Sequence, residues 1–391
     1  MTTDIDNFWT AYDKVITTKD RSEQLSYLNK LFIEKGTQGL RAMMQARGYT
    51  PEEYIDAINN RREYWTSIRP NTLRAGEFGD DIELGIEKLR KIYPELRPAD
   101  IYFTIGVFRS GGTTSGSDIL IGSEIVFADE NVMKNLVFTN VHEYVHTQQK
   151  SNVTENLLDQ SVMEGVAEFV TVKALEAPSF APAVSYGKSN ESRVKNAFAA
   201  QMFNPYFGYW LYSNAKNQFD TRDLGYYVGY AIAERFYEKA KDKKLATKEM
   251  IELDYDAPAR VAKFVDQSGY FAKTVRSLAR EYEKNRPHVV GVDQFKNGDR
   301  KVDPRTTRLT IRFSKAMDPN YRNFSFGSLA QGNSMRIKNF LGFSADRNSC
   351  TVEIEPLQPN KRYQLVIDRG FRDKDGISLA PFAIDITTAI K

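Results

Sequence analysis

The chain of 391 residues contains little cysteine and little histidine, and each shortage limits the kinds of covalent bond or metal site that it can form. A single cysteine, Cys350, excludes an intrachain disulfide, and its alternating strand pattern predicts a small buried side chain rather than a nucleophile. The three histidines are His142, His146 and His288. A metal site in this chain would therefore have few imidazoles available.

Long apolar runs and an excess of one charge are also missing. No stretch of eighteen apolar residues occurs, which predicts that no helix spans a membrane. Lys and Arg number 54 against 51 Asp and Glu, and no long basic run appears, so we expect no nucleic-acid partner. The first residues lack the layout of a signal peptide, which predicts a cytoplasmic protein or one whose leader has been removed.

The length and the pattern of apolar residues predict more than one domain. Helical spacing covers residues 4–66 and about 79–93. Strand patterns at 99–107 and 118–127 flank a glycine-rich turn at 110–117, which predicts a hairpin or two strands of a small sheet. Further helices are predicted at about 132–149, 157–177, 224–241, 257–264 and 268–284, with another beginning near 247 and an irregular stretch at 178–222.

After residue 286 the pattern changes to short alternating strands. They have the spacing of a β-sandwich and lie at 308–313, 334–339, 350–356, 362–368 and 382–388. The predicted fold class is therefore multidomain, with a mostly helical α+β domain at 1–286 and an all-β sandwich at 287–391. Within the first domain we distinguish a helical part at 1–95, a small sheet and metal helices at 96–180, and a second helical part at 181–286.

The segment His142-Glu143-Tyr144-Val145-His146 carries the clearest chemistry. On a helix, residues four apart lie on the same face, so both imidazoles can point at one ion. Neutral imidazole is a common ligand of Zn²⁺, and Glu143 is placed to act as general base toward the attacking water. This is the HExxH signature, and it predicts zinc as the cofactor. The alternative is a surface helix with two histidines and no metal.

A catalytic zinc site needs a third protein ligand and one open position. Because His288 lies at the predicted domain boundary and Cys350 in the other domain, we expect a carboxylate. Glu164, on the following helix, is the predicted third ligand, and Glu155 in the preceding turn is the less favoured alternative. Glu168, one turn further, is predicted to accept a hydrogen bond from a ligand histidine and so fix its tautomer.

Two tyrosines on a later helix, Tyr226 and Tyr230, are the predicted donors to the oxyanion of the reaction. They are four residues apart, and Gly225 and Gly229 beside them permit a close approach. Aromatic packing in the core is the alternative interpretation. In the same way, the small Gly165 is expected to let the second metal helix pack tightly against the first.

Residues 142–146, followed by Glu164-Gly165-Val166-Ala167-Glu168-Phe169, resemble the gluzincin metallopeptidases. Residues 95–240 more closely resemble predicted zinc-dependent proteases related to the gliding-motility lipoprotein B family. The shared features are the strands at 101–107 and 119–127, the Gly111-Gly112-Thr113 loop between them, the metal helix that ends in Gln148-Gln149, and the Gly225–Tyr230 helix. The resemblance implies a zinc metallopeptidase that acts on a peptide or protein. It also implies that the strand at 118–127 is the edge strand beside the cleft, although an ordinary core strand is equally compatible with the pattern.

The last hundred residues resemble the bacterial Ig-like domain through segments at 302–304, 309–318, 356–363 and 373–379. This resemblance implies a spacer or adhesive module, an extracytoplasmic location and contacts with envelope or surface components. Two other functions stay open beside the peptidase. One is a catalytically weak or inactive binding or scaffold protein of the bacterial envelope, and the other is a zinc hydrolase that acts on something other than peptides.

Overall fold

The computed structural model describes residues 1–150, 154–214, 217–329 and 331–390. The chain divides into two compact units. The first consists of Met1–Thr154, Asp159–Ser189 and Tyr226–Tyr270, and the second of Glu155–Leu158, Asn190–Gly225 and Phe271–Lys391. The second unit thus combines helical segments with the C-terminal strands, and the predicted domain boundary at 286 stays a prediction.

The first unit begins with helices, which confirms the helical prediction for residues 4–66 and 79–93. They are α1 (Thr3–Val15), α2 (Arg21–Leu28), α3 (Gln38–Arg47), α4 (Pro51–Asn60), α5 (Arg62–Thr72) and α6 (Gly79–Ile92). The start of α4 shows why such sequences become helical: the Thr50 side chain accepts from the Glu53 amide and the Glu53 side chain accepts from the Thr50 amide. Phe8, Trp65 and Tyr54 are fully buried between these helices.

A small sheet follows, with β1 (Asp100–Thr104), β2 (Gly112–Ser115) and β3 (Asp118–Gly122) in the order β1-β3-β2. β1 runs parallel to β3, and β2 pairs with β3 antiparallel. Two expectations were wrong. The turn predicted at 110–117 contains β2, which is one of the two edge strands. The strand predicted at 118–127 is central and ends at Gly122, and the short helix α7 (Ser123–Val126) begins after it. The half-buried β2 has no apolar alternation to reveal it.

Nine further α-helices follow α7 among the described residues. They are α8 (Glu130–Met133), α9 (Leu136–Gln148), α10 (Leu157–Leu175), α11 (Pro182–Ser189), α12 (Glu191–Ala199), α13 (Leu224–Lys239), α14 (Lys243–Ile251), α15 (Pro258–Ser268) and α16 (Val275–Asn285). The helix predicted at 132–149 is therefore interrupted between α8 and α9. The irregular stretch predicted at 178–222 was wrong, because α11 and α12 lie within it. None of the described helices is long and apolar enough to cross a membrane.

The C-terminal strands lie in the second unit. They are β4 (Val289–Val292), β5 (Arg308–Phe313), β6 (Phe324–Ser325), β7 (Ile337–Phe343), β8 (Ser349–Ile354), β9 (Arg362–Ile367) and β10 (Phe382–Thr387). They form one sheet in the order β4-β5-β8-β7 and another in the order β10-β9-β6. Inward-facing residues of both sheets, such as Ile311, Val352 and Ile384, share one buried core. The five strands predicted in this region are thus present.

Candidate metal centre

Helix α9 presents His142 and His146 on one face. Val141 and Val145 are fully buried on this helix, and the Tyr144 hydroxyl donates to the carbonyl oxygen of Arg97 at 3.0 Å, so α9 is held firmly in the unit. The two imidazole rings are 4.8 Å apart, and their Nε2 atoms are separated by 3.1 Å. The predicted i, i+4 geometry is therefore realised.

Helix α10 brings Glu164 to the same point. Its Oε2 lies 3.2 Å from His146 Nε2 and 3.5 Å from His142 Nε2. The side chain is only 7% exposed, and one ligand atom from each of the three residues lies within 4.8 Å of the others. The structure thus brings the three predicted ligands together from two helices. Glu155, the alternative ligand, is exposed and does not belong to this cluster.

The outward-facing atoms of the ligands are also held. His142 Nδ1 lies 3.1 Å from Glu168 Oε2, and the Ser179 hydroxyl donates to Glu168 Oε1. On the other ligand, Gln160 Nε2 donates to Glu164 Oε1 at 3.3 Å. Such outer contacts fix the orientation of a ligand and leave its inner atom directed at the centre. Glu168 lies where it was predicted, whereas Ser179 and Gln160 were not singled out from the sequence.

The charges around this point favour a cation. Burial opposes a charge on His142, but the carboxylates of Glu164 and Glu168 outweigh it and raise the pKa of His142 to about 10. Burial likewise opposes the charge on Glu164, yet the two neighbouring imidazoles hold its pKa well below the usual range. Positive charge is therefore stabilised where the three inner atoms meet, whether a proton or a metal ion supplies it.

The arrangement suits zinc in both donor type and spacing. Two imidazole nitrogens and one carboxylate oxygen are the donor set of a catalytic zinc site with a fourth position open. Ligand atoms about 2.0–2.1 Å from a tetrahedral zinc lie about 3.3 Å from one another. The separations of 3.1, 3.2 and 3.5 Å observed here fall around that value. The residues present therefore fit the ion without rearrangement.

Glu143 lies beside the edge strand β2. A Cβ built on Gly112 would come 2.5 Å from Glu143 Oε1, so a side chain at this point of the strand would displace the Glu143 carboxylate. Burial raises the pKa of Glu143, while the neighbouring His146 and His142 oppose that rise. The strand next to Glu143 is thus β2. Of the two interpretations of the strand at 118–127, the edge strand was wrong and the core strand is the one observed.

The two predicted tyrosines have different surroundings. The ring of Tyr226 lies 6.1 Å from the ring of His142. The hydroxyl of Tyr230 lies 3.3 Å from Lys188 Nζ and 3.3 Å from Glu234 Oε1. The structure therefore brings Tyr226 to the metal centre and turns the Tyr230 hydroxyl toward an ion pair. The role of Tyr226 stays a prediction.

Gly165 faces a different helix from the one expected. A Cβ on Gly165 would lie 2.1 Å from the backbone carbon of Gly229, and one on Gly229 would meet the carbonyl oxygen of Ser161. The close crossing is therefore between α10 and α13, not between α10 and α9. Its effect on the site is indirect, since it sets the position of the helix that carries Glu164.

His288 and Cys350, which the sequence analysis did not favour as ligands, do not belong to the cluster found among the described residues. His288 is exposed, and Cys350 is a buried residue of β8 whose thiol pKa burial raises to about 12. A third residue that was not singled out from the sequence is Gln149, which was placed only at the end of the metal helix; its Oε1 lies 2.7 Å from His146 Nδ1. Its position one turn after His146 was visible, but its partners elsewhere in the chain were not.

Comparison with known proteins supports the zinc interpretation over part of the chain. Residues 111–257 match the model of a family described as predicted Zn-dependent protease (DUF2268), and this range contains all three predicted ligands. The match covers less than half of the chain. No curated protein matches it.

Among solved structures, the chain aligns with surface-layer proteins at very low similarity. The crystal structure of the S-layer protein rSbsC is 11% identical, with a TM-score of 0.21, over 99% of this chain and 45% of that one. The N-terminal part of the S-layer protein SbsC is 13% identical, with a TM-score of 0.20, over 98% and 71%. The chain thus spans about half the length of the first of these proteins, and TM-scores at this level carry no argument about fold or function.

Proposed function

We propose that the chain is a zinc-dependent metallopeptidase that hydrolyses peptide bonds. The observation that carries the proposal is that His142 Nε2, His146 Nε2 and Glu164 Oε2 lie within 3.5 Å of one another. Glu143 directly follows His142 on α9. The two histidines and Glu164 would hold the zinc ion. When bound, zinc supplies a Lewis acid that polarises a carbonyl group and lowers the pKa of water. The match of residues 111–257 to predicted Zn-dependent proteases supports the same conclusion.

Glu143 is the residue that moves the proton in this proposal. It accepts a proton from the attacking water and returns it to the leaving amine. The raised pKa that burial gives this carboxylate makes it a stronger base than an exposed glutamate. An extended peptide that paired with the edge strand β2 would pass directly beside it, because Gly112 contacts Glu143 without an intervening side chain.

Tyr226 completes the proposed catalytic set. Its ring lies against His142, and its side chain is half-buried at the site. A phenol at this position can donate to the oxygen that becomes negative when the scissile carbonyl is attacked. Tyr230 takes no part in this proposal, because its hydroxyl is directed at Lys188 and Glu234.

Zinc analysis and peptide cleavage test the proposal together. We expect one zinc ion per chain and hydrolysis of peptides from a degenerate library, read by mass spectrometry. Glu143→Gln should retain zinc and lose about 10²–10⁴ of the rate. Glu164→Gln should lose the zinc. Glu155→Gln is the matched control: the residue is exposed and outside the cluster, so both zinc content and activity should stay unchanged.

Two results would overturn the proposal in different ways. A wild-type chain without affinity for zinc would refute the metal site. A chain that binds zinc but cleaves no peptide in the library would refute the peptidase and would favour the binding or scaffold protein. Cleavage of small esters or amides without any peptide turnover would instead favour a zinc hydrolase with another substrate class.

For the C-terminal strands we propose an Ig-like module, an extracytoplasmic location and contact with envelope or surface components. Two sheets around a core of their own support the module, and no metal-binding cluster was found among its described residues. Fractionation of cells that produce the native gene product tests the location. Recovery with the cytosol alone would refute it, and failure of the full chain to sediment with isolated envelopes would refute the contact.

A further inference from the structure

Gln149, the residue directly after α9, contacts His146 on the side away from the metal centre. Its Oε1 lies 2.7 Å from His146 Nδ1, and the side chain is only 8% exposed. Gln149 is not a predicted ligand and cannot reach the converging atoms through this contact. What it can determine is which nitrogen of the His146 ring carries the proton.

Other contacts fix which end of the Gln149 amide faces His146. Its Nε2 lies 3.0 Å from the carbonyl oxygen of Met163, an atom that can only accept. The same Nε2 lies 3.3 Å from the hydroxyl oxygen of Tyr255, whose own proton is donated to the carbonyl of Met250 at 2.7 Å. An amide turned the other way would place two carbonyl oxygens against each other. The oxygen end of Gln149 therefore faces the imidazole.

This orientation selects one tautomer of His146. Because Gln149 Oε1 can only accept, His146 Nδ1 must donate, and in a neutral ring Nε2 then keeps its lone pair. That nitrogen is the one 3.1 Å from His142 Nε2 and 3.2 Å from Glu164 Oε2. A neutral histidine side chain in water carries its proton mainly on Nε2, which is the wrong nitrogen for this centre.

We infer that Gln149 is a positioning residue that holds His146 in the tautomer required for metal binding. The inference rests on the proposed function, because it gives Gln149 a part in the zinc site. The two histidines are thus oriented by different chemistry: His142 faces the carboxylate of Glu168, and His146 faces a neutral amide. The amide supplies the required acceptor without adding another negative charge to the centre.

Two substitutions separate the hydrogen bond to His146 from the packing of the side chain. Gln149→Met keeps the length and removes both polar ends. Gln149→Glu keeps an acceptor for His146 Nδ1 but loses the donor to Met163 and sets a carboxylate against that carbonyl oxygen. In competition with a chromophoric chelator, zinc affinity should fall about 10–100-fold in Gln149→Met. In Gln149→Glu it should stay much closer to that of the wild type.

A merely structural role predicts a different order. If Gln149 served only to tie the end of α9 to Met163, Gln149→Glu would be at least as damaging as Gln149→Met, and that result would overturn the inference. Gln148→Met is the matched control. Gln148 is also buried at the same helix end, but its amide contacts the backbone of Arg97, so the zinc affinity of the Gln148→Met variant should match that of the wild type. A loss equal to that of Gln149→Met would also overturn the inference.

Nuclear magnetic resonance gives a direct signature, since the chain has only three histidines. With ¹⁵N-labelled histidine, the Nδ1 proton of His146 should give a slowly exchanging signal in the wild type and in Gln149→Glu. It should be lost or shifted upfield in Gln149→Met. Absence of the signal in the wild type would refute the inference.

The measurements distinguish this inference from the proposed function. If the wild type binds zinc tightly and Gln149→Met binds it with the same affinity, only the role of Gln149 is refuted. A wild-type chain that binds no zinc refutes the proposed function. In that case the inference falls with it, because a metal-free His146 that faces Glu164 can carry a proton on both nitrogens and its Nδ1 signal no longer reports a tautomer.

Discussion

Gly165 lies where α10 crosses α13, and alanine at this position should disturb the metal centre without changing a ligand. A Cβ on Gly165 would lie 2.1 Å from the backbone carbon of Gly229 and 2.1 Å from the backbone nitrogen of Tyr230. Ordinary contact begins near 3.4 Å, and backbone atoms cannot rotate aside as the end of a flexible side chain can. The two helices must therefore move apart locally by more than an ångström.

Two opposing terms set the size of the effect on stability. Overpacking a dense core costs about 1–3 kcal/mol, and backbone obstacles place this site at the upper end. Alanine instead of glycine inside a helix gains about 1 kcal/mol. We therefore expect Gly165→Ala to lower the free energy of unfolding by about 1–2 kcal/mol. Because Glu164 is the adjacent residue, the same movement displaces its carboxylate, and a misplacement of about 1 Å can lower the turnover rate about 10²-fold.

Urea unfolding, zinc competition and peptide cleavage would be measured on Gly165→Ala and on a matched control, Gly79→Ala. Gly79 is the exposed first residue of α6, and a Cβ there would meet nothing within 4 Å. The control should be as stable as the wild type or more stable by up to about 1 kcal/mol, with unchanged zinc affinity. If Gly165→Ala behaved like Gly79→Ala, the close crossing would have no bearing on the metal centre.

Three further outcomes are expected. Tyr226→Phe should lower the turnover rate about 10²–10³-fold at unchanged zinc affinity, whereas Tyr230→Phe should leave steady-state kinetics near those of the wild type. At a zinc concentration 1,000 times the dissociation constant, bound zinc should stabilise the wild type by about 4 kcal/mol. Chelation of zinc should therefore lower the thermal midpoint of the wild type but leave that of Glu164→Gln unchanged. Burial raises the pKa of Glu124 from 4.5 to about 7, so the folded chain keeps this proton where the unfolded chain loses it. The free energy of unfolding should therefore fall by about 3 kcal/mol between pH 4.5 and 7, and urea titrations of Glu124→Gln should lack that decline.

The parts of the site that could be predicted from the sequence are those that depend on short-range periodicity. His142 and His146 share a face because any helix places residues four apart together. Glu164 followed from elimination, since no third imidazole was at hand and a carboxylate stood on the next helix. The C-terminal strands were visible because their inward residues alternate with exposed ones.

The parts that could not be predicted depend on which segments approach each other. The smallness of Gly165 indicates a close contact, but not that the partner is α13 rather than α9. Gly112–Ser115 forms a strand because it pairs with β3, while its own residues show only a glycine-rich polar stretch. Gln149 gains its role from the carbonyl of Met163 and the hydroxyl of Tyr255, which is more than a hundred residues further along the chain.

Alanine at Gly112 should lower the turnover rate, as alanine at Gly165 should, but leave the stability of the fold unchanged. A Cβ on Gly112 would lie 2.5 Å from Glu143 Oε1 and 2.9 Å from its Cδ, but these atoms end a side chain that can rotate. Gly112→Ala should therefore unfold at the same urea concentration as the wild type and bind zinc equally well. The displaced Glu143 should lower the turnover rate by about 10²-fold or more. Unchanged turnover would show that Glu143 does not act from the position beside β2, and a marked loss of stability would show that this contact serves the fold.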